Sequence, residues 1–215
     1  VNYFDKSVDF RNETDYATEH LTGTYTIDYS LDSGTPENVS NPVFLKQVEA
    51  FADWYRTQPE VIHVTTITDT FKRLNKNMHG DDLAWYTLPE NNKLAAQYLL
   101  LYEMSLPYGL DLNNQIDVAK QRTRVRVILT TISSSNILAL EQRAQNWLKT
   151  NAPNMLTDGT SPAIMFSHIG MRNIQSMIKG TSIALVLISL TMIIALRSFK
   201  YGLISLIPNV LPAAV

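Results

Sequence analysis

The segment from Gly180 to Leu196 constrains this chain most, because it reads GTSIALVLISLTMIIAL and contains no charged residue. Its only polar side chains are hydroxyls, which can bond back to helical carbonyls. Extended upstream through Ser176, it approaches the ~20 residues that a helix needs to cross ~30 Å of hydrocarbon. A core helix of this length usually keeps one polar face. The segment therefore predicts a transmembrane helix, with a buried core helix as the alternative.

The charges of the chain are distributed unevenly around this segment. The tail after Asp158 contains no acidic residue and four basic ones, Arg172, Lys179, Arg197 and Lys200. The part before it is acidic, and no basic patch there favours nucleic-acid binding. The short loop between the apolar stretches carries Arg197 and Lys200 and no acidic residue, which favours the cytoplasmic side of a membrane. We therefore expect the preceding domain on the opposite face, which in a Gram-negative bacterium is the periplasm.

A second apolar stretch, from Leu203 to Val215, contains Pro208 and Pro212 and is too short to span a bilayer. Helices in bilayers accept prolines when neighbouring helices satisfy the freed carbonyls, so the stretch is typical of a further span. The expected organisation has four parts: a folded domain over 1–170, a transmembrane helix over 171–198, a cytoplasmic loop over 199–202 and the start of another transmembrane helix over 203–215.

The first half of the folded domain follows a strand, helix, strand pattern. Residues 24–32 alternate apolar and polar side chains, as a half-buried strand does. Asn41 and Pro42 suit the cap and first turn of a helix. The buried stripe of that helix is expected to comprise Phe44, Val48, Phe51 and Tyr55. The β-branched run over 61–68 predicts the next strand.

The second half of the domain repeats this pattern. Residues 122–133 alternate charged and apolar side chains and predict a strand. Asn136 is expected to cap the following helix, and Thr160–His168 to form a last strand. Two βαβ units in series give the split βαβ, or ferredoxin-like, sandwich with helices on one face of an antiparallel sheet. The predicted fold class is thus α+β, a ferredoxin-like βαββαβ domain followed by a transmembrane α-helix.

A helical insertion over about 69–121 separates the two units. A short helix is expected from Asp69, and a longer one from about Asn91, whose segment LAAQYLLLYEMSL is apolar on more than one side. That segment either packs on the sheet or lines a path for an apolar molecule, for which Met and Tyr side chains are wide and adaptable. The candidate path residues are Tyr98, Leu99, Tyr102, Met104 and Tyr108.

Signals for catalysis are missing from the sequence. Cysteine is absent, and the four histidines are scattered without an H-E-x-x-H pattern that would support a metal site. The glycines form neither G-x-G-x-x-G nor a P-loop, so no phosphate cradle for ATP or a dinucleotide is expected. We therefore expect no bound metal, no cofactor and no enzymatic activity.

Three long segments carry a resemblance to a known family: VIHVTTITDTFKRLNKNMHGDD following Pro59-Glu60, LPENNKLAAQYLLLYEMSLPYGLDLNNQ, and LRSFKYGLISLIPNVLP. They resemble the resistance-nodulation-division (RND) superfamily, in the branch of hydrophobe and amphiphile efflux and mycobacterial membrane-protein-large transporters. The resemblance covers nearly the whole chain. It implies that residues 1–170 form a first periplasmic porter domain, followed by the second transmembrane helix and part of the third.

The resemblance also implies a function. Such a protein lies in the bacterial inner membrane and moves hydrophobic or amphiphilic molecules, such as lipids, hopanoids, sterols or toxic compounds, by coupling to proton entry. Pro208, Asn209 and Pro212 look like the proline-containing third helix of this family. The implied partners are membrane lipids, an apolar or amphiphilic small-molecule substrate, periplasmic partner proteins and further copies of the chain.

Two alternatives share this architecture. A receptor would bind a sterol or lipid without moving it, and a scaffold would dock partner proteins in the periplasm. The acidic residues that relay protons in such transporters lie in a later helix, beyond Val215. An intramembrane acid is costly and therefore diagnostic, so the downstream sequence would separate transport from sensing.

Overall fold

The computed structural model describes residues 4–107 and 112–200 and has a mixed helix and sheet architecture. The strands are β1 (Tyr25–Asp32), β2 (Val61–Thr65) and β3 (Arg122–Leu129). The helices are α1 (Asp9–His20), α2 (Pro42–Arg56), α3 (Ile67–Met78), α4 (Asn92–Ser105), α5 (Ser134–Asn151) and α6 (Pro162–Leu196), with 3-10 turns at Leu83–Trp85 and Pro153–Met155. The chain divides into two compact units, Val1–Met165 and Phe166–Val215.

The three strands form one antiparallel sheet in the order β1-β3-β2. In β1 and β3 the side chains alternate between a buried and a polar face, which confirms the two-residue period predicted for both strands. The buried face comprises Ile27, Tyr29, Leu31, Val125, Val127 and Leu129. Aliphatic and aromatic side chains suit such a half-buried pleated surface, because they pack against cross-strand neighbours.

Helices α2 and α5 bury their apolar stripes in the same core as the sheet. Asn41 caps α2 by accepting a hydrogen bond from Val43 N at 2.9 Å, as predicted. The predicted stripe Phe44, Val48, Phe51 and Tyr55 is buried. The rings of Phe51 and Trp147 lie 5.4 Å apart between centroids, so the two helices pack against each other over the sheet.

The cap of α5 differs from the prediction. Asn136 lies inside the helix, and its backbone N–H donates to the Ser133 hydroxyl at 3.3 Å. Ser133 is therefore the capping residue. Both serine and asparagine can cap a helix, and the serine occurs first in the chain, so the helix begins earlier.

The predicted last strand over Thr160–His168 is wrong. Only Thr160 pairs, in an isolated antiparallel bridge with Asp28. The next residue, Ser161, accepts a hydrogen bond from Ile164 N at 3.0 Å, and Pro162 begins α6. A hydroxyl cap followed by proline in the first turn is a helix start signal. That signal takes precedence over the apolar run that suggested a strand.

The insertion begins earlier than predicted. The run expected to be a strand as far as residue 68 ends at Thr65, and Thr66 caps α3 by accepting from Thr68 N at 3.0 Å. Asn91 caps α4 by accepting from Leu94 N at 2.9 Å, which agrees with the predicted start of the longer helix. Helix α1 had no counterpart in the sequence analysis, and none of its residues is buried.

Candidate functional site

Helix α6 is the one helix, within residues 4–107 and 112–200, that is long and apolar enough to cross a membrane. It contains 35 residues, which at about 1.5 Å per residue makes it about 52 Å long. Only 6% of its most apolar 18-residue stretch is buried, whereas a core helix would be mostly buried. It begins at Pro162, well before the predicted boundary at residue 171, and the expected cytoplasmic loop begins just beyond its end.

Three hydroxyl side chains of α6, those of Ser182, Ser189 and Thr191, bond back to helical carbonyls, as predicted. Ser182 donates to Ile178 O at 2.8 Å and Ser189 to Leu185 O at 2.8 Å. Such bonds satisfy these hydroxyls without water, as a lipid environment requires. Pro208, Asn209 and Pro212 of the predicted further helix lie outside the described residues.

Asn75 organises the insertion that carries the candidate path residues. Its buried side chain donates to Thr87 O at 3.1 Å and accepts from the Tyr98 hydroxyl at 3.2 Å. The Asn75 amide, which belongs to α3, thus connects that helix both to α4 and to the segment that follows the 3-10 turn at Leu83–Trp85. A buried amide with partners on both its nitrogen and its oxygen fixes the relative positions of these three elements.

Four of the five candidate path residues lie in the described part of the chain, and their environments differ. Tyr98 and Leu99 are buried, and Leu99 belongs to the main core. Tyr102 is half-buried against the same core. Met104 is 79% exposed, and Tyr108 lies outside the described residues. Packing thus accounts for Tyr98 and Leu99, and their part in a substrate path stays a prediction.

The exposed side of α4 is mostly apolar in its C-terminal half. Leu100 and Leu101 are more than half exposed and lie close in sequence to Met104. Three large apolar side chains on one short helix form a patch that water covers poorly. We call Leu100, Leu101 and Met104 the α4 patch.

A cavity of about 300 Å³ lies at the C-terminal end of α4. Its apolar lining comprises Leu106, Leu112, Ile116 and Val118. Its charged lining includes an ion pair, in which Lys120 Nζ lies 2.9 Å from Glu103 Oε2. We call this space the apolar cavity. Sequence reasoning missed it because most of its walls come from the irregular segment after α4, which has no periodicity.

The polar face of the sheet carries cross-strand ion pairs. Arg126 donates to Asp28 at 2.9 Å, and Arg122 lies 3.0 Å from Asp32. Hydrogen bonds from Gln121 and the Gly34 amide, together with the Arg122 charge, lower the pKa of Asp32. Ion pairs that are partly exposed to solvent contribute little to stability. These pairs therefore orient the side chains of the polar face but add little to the free energy of unfolding.

No protein-family model, no curated protein and no solved structure matches this chain significantly. Within the described part of the chain, no three His, Asp or Glu side chains are grouped as metal ligands would be. The class that the fold and the site define is a mixed helix and sheet protein with a long apolar helix suited to crossing a membrane.

Proposed function

We propose that this chain is part of a bacterial inner-membrane transporter of the RND type, which moves hydrophobic or amphiphilic molecules and is driven by protons. The observation that carries the proposal is the combination of an exposed apolar helix, α6, with an apolar cavity at the C-terminal end of α4, the helix that carries the α4 patch. A protein whose substrate is apolar needs surfaces that receive it outside the bilayer, and such surfaces are concave and mostly apolar.

The sheet order supports a ferredoxin-like porter domain as part of this proposal. In the split βαβ sandwich the last strand lies beside the first, and the third strand lies between the first and the second. Thr160 bridges to β1, and β3 lies between β1 and β2, so the backbone order agrees even though the last strand is reduced to one bridge. We assign residues 1–170 to this domain and place them in the periplasm.

The remaining parts of the proposal follow from the same assignment. Residues 171–198 cross the membrane, 199–202 form a cytoplasmic loop, and 203–215 start a further span. Membrane lipids, periplasmic proteins and further copies of the chain are the expected partners. We propose neither a cofactor nor an enzymatic activity for this chain.

The α4 patch and the apolar cavity are the proposed substrate path. Met104 and Leu101 can change without loss of folding, since both are largely exposed. A charged substitution at Tyr98 would not test the path, because Tyr98 is buried and an aspartate there would destabilise the domain itself.

The experiment is complementation of a strain that lacks the full gene. Deletion should cause an apolar compound to accumulate in the inner membrane or cytoplasm, and the wild-type gene should restore its distribution. Met104→Asp and Leu101→Asp should fail to restore it while the protein reaches the membrane at a normal level. Val43→Asp is the matched control, since Val43 is also an exposed apolar residue, 67% accessible, but lies on α2.

Two results would contradict the proposal. If deletion leaves the distribution of lipids and apolar compounds unchanged, the protein does not transport them, and a sensor or scaffold becomes the better explanation. If the deletion phenotype is clear but the Met104 and Leu101 variants complement fully, the α4 patch is not part of the path.

A further inference from the structure

A second groove, distinct from the apolar cavity, lies where β2 ends and α3 begins. Its volume is about 340 Å³, and its lining includes Arg56, His63, Thr65, Asp69, Arg73 and Gln115. Guanidinium, imidazole, hydroxyl and amide groups thus surround the same space. We call it the polar groove.

The groove exists because β3 changes partner along its length. The pairing of β2 with β3 ends at Thr65 and Arg126. Two residues earlier in β3, Arg124 N donates to Gln115 O at 2.8 Å, so the segment around Gln115 takes the place of β2. The space between the end of β2 and this segment is left open.

The guanidinium groups outnumber the carboxylates in the groove lining. Asp69 lies 2.8 Å from Arg56 and 3.5 Å from Lys72, so two cations share its charge. Burial lowers the pKa of Arg56, but Asp53 and Asp69 outweigh this and raise it, which keeps the group charged. Arg73 donates to the backbone oxygen of Asp69 and forms no ion pair with any residue that the structure describes. Its charge remains available to an anion.

Gln115 supplies an acceptor on the same wall. Its Oε1 atom is buried and accepts no hydrogen bond from the described residues. A buried amide oxygen without a donor is unfavourable, so the Gln115 side chain would gain by turning towards the groove when a ligand hydroxyl there can donate to it. A ligand that suits the groove therefore carries both an anion and a hydroxyl.

The segment around Gln115 also borders the apolar cavity. Ile116 and Val118 line that cavity, whereas Gln115 lines the polar groove. One short segment thus contributes to the walls of both the polar groove and the apolar cavity. An amphiphile has the same division between headgroup and chain.

We propose that the polar groove binds the phosphate-bearing, hydroxylated headgroup of an anionic amphiphile, with Arg73 and Arg56 donating to the phosphate oxygens and Gln115 Oε1 accepting from a headgroup hydroxyl. The inference rests on the proposed function and defines its substrate class. Arginine suits this role because its planar fork matches the geometry of phosphate oxygens.

The test measures binding to the purified full chain in uncharged detergent micelles by isothermal titration calorimetry. The probes are dioctanoyl phosphatidylglycerol, dioctanoylglycerol, which lacks the phosphate, and inorganic phosphate. We expect phosphatidylglycerol to bind tightest, and Arg73→Gln to weaken it by about tenfold, as loss of one charge-assisted hydrogen bond predicts. Lys149→Gln, the same charge change at an exposed position on α5, should leave the affinity unchanged.

Each result decides between explanations. Equal binding of the two lipids, or an Arg73→Gln affinity equal to wild type, overturns the headgroup inference. Inorganic phosphate that binds as tightly as phosphatidylglycerol and competes with it identifies a site for free phosphate, which also overturns the headgroup inference.

The two proposals fail in different ways. If both lipids bind equally and both lose affinity in Met104→Asp, the headgroup inference fails and the apolar path stands. If binding depends on Arg73 but gene deletion leaves lipid distribution unchanged, the headgroup site stands and transport fails.

Discussion

The hydroxyl of Tyr29 on β1 lies 2.6 Å from the hydroxyl of Tyr55 on α2, and both side chains are almost fully buried. The two groups satisfy each other inside an otherwise apolar core, where a lone hydroxyl would be unfavourable. Their rings also contact Phe51, with centroids 5.2 Å away in each case. This pair therefore fixes how α2 lies on the sheet.

Removing either of these hydroxyls should cost the protein the hydrogen bond that the two share. Tyr55→Phe leaves the Tyr29 hydroxyl without this partner and should lower the free energy of unfolding by about 1–3 kcal/mol. Tyr29→Phe should act similarly, and the double variant should lose less than the sum of the two. Urea denaturation of the full chain in micelles, followed by near-ultraviolet circular dichroism, measures this. Strictly additive losses would mean that the hydrogen bond contributes nothing.

The same pair predicts alkaline sensitivity. Burial raises the pKa of Tyr29, with the Tyr55 hydrogen bond opposing it in part, and burial together with Tyr29 raises the pKa of Tyr55. In the unfolded chain both ionise near pH 10. The unfolded state then binds fewer protons, so stability that is complete below about pH 10 is lost as the pH rises towards the folded values. Melting temperature against pH should show this, with a smaller slope for the double Phe variant.

Gly159 lies too close to Tyr29 for any side chain. An added Cβ would lie 2.7 Å from the Tyr29 hydroxyl oxygen, and the Gly159 amide donates to the buried Glu141 carboxylate at 3.2 Å. Gly159→Ala should lower the free energy of unfolding by about 1–3 kcal/mol, as overpacked cores do. The control is Gly170→Ala, where nothing lies within 4 Å of the new Cβ. That change should be neutral or stabilising, since alanine favours helices.

Asn75→Ala should destabilise the insertion specifically. The change leaves the Tyr98 hydroxyl and the Thr87 carbonyl without their Asn75 partner, at an expected loss of about 2 kcal/mol. Asn77→Ala makes the same substitution at an exposed position of α3 and should have little effect. Hydrogen exchange of α4 amides, measured beside those of β3, shows whether the loss is local. Equal acceleration in both elements would contradict a local role.

Much of the domain could be predicted because its local signals agree with its tertiary environment. The alternation around Ile27 and Val125 matches the buried face of the sheet, and Asn41-Pro42 begins α2 as such pairs do. The absence of charge from Gly180 to Leu196 was sufficient to predict a long helix there. In each case the residues of one short segment were sufficient to predict the element that they form.

The errors arose where a segment carried two signals. Thr160–His168 contains β-branched and apolar residues, but the Ser161-Pro162 pair starts a helix. The polar groove could not be predicted at all, since Arg73 and Gln115 are distant in sequence and meet only because β3 exchanges its partner strand. The pattern of apolar and polar side chains along β3 does not indicate where one partner segment replaces another.

The Asn75 hydrogen bonds have a consequence for dynamics. Helix α4 buries only Ala95, Tyr98 and Leu99, so few apolar contacts oppose its detachment. Its polar attachments include the Asn75 amide and the ion pair of Glu103 with Lys120. Segments with little buried apolar surface open with a lower free energy than the global unfolding reaction. The insertion should therefore behave as a separate cooperative unit, which exchanges its amides on a faster timescale than the sheet and can change its exposed patch while the strands remain paired.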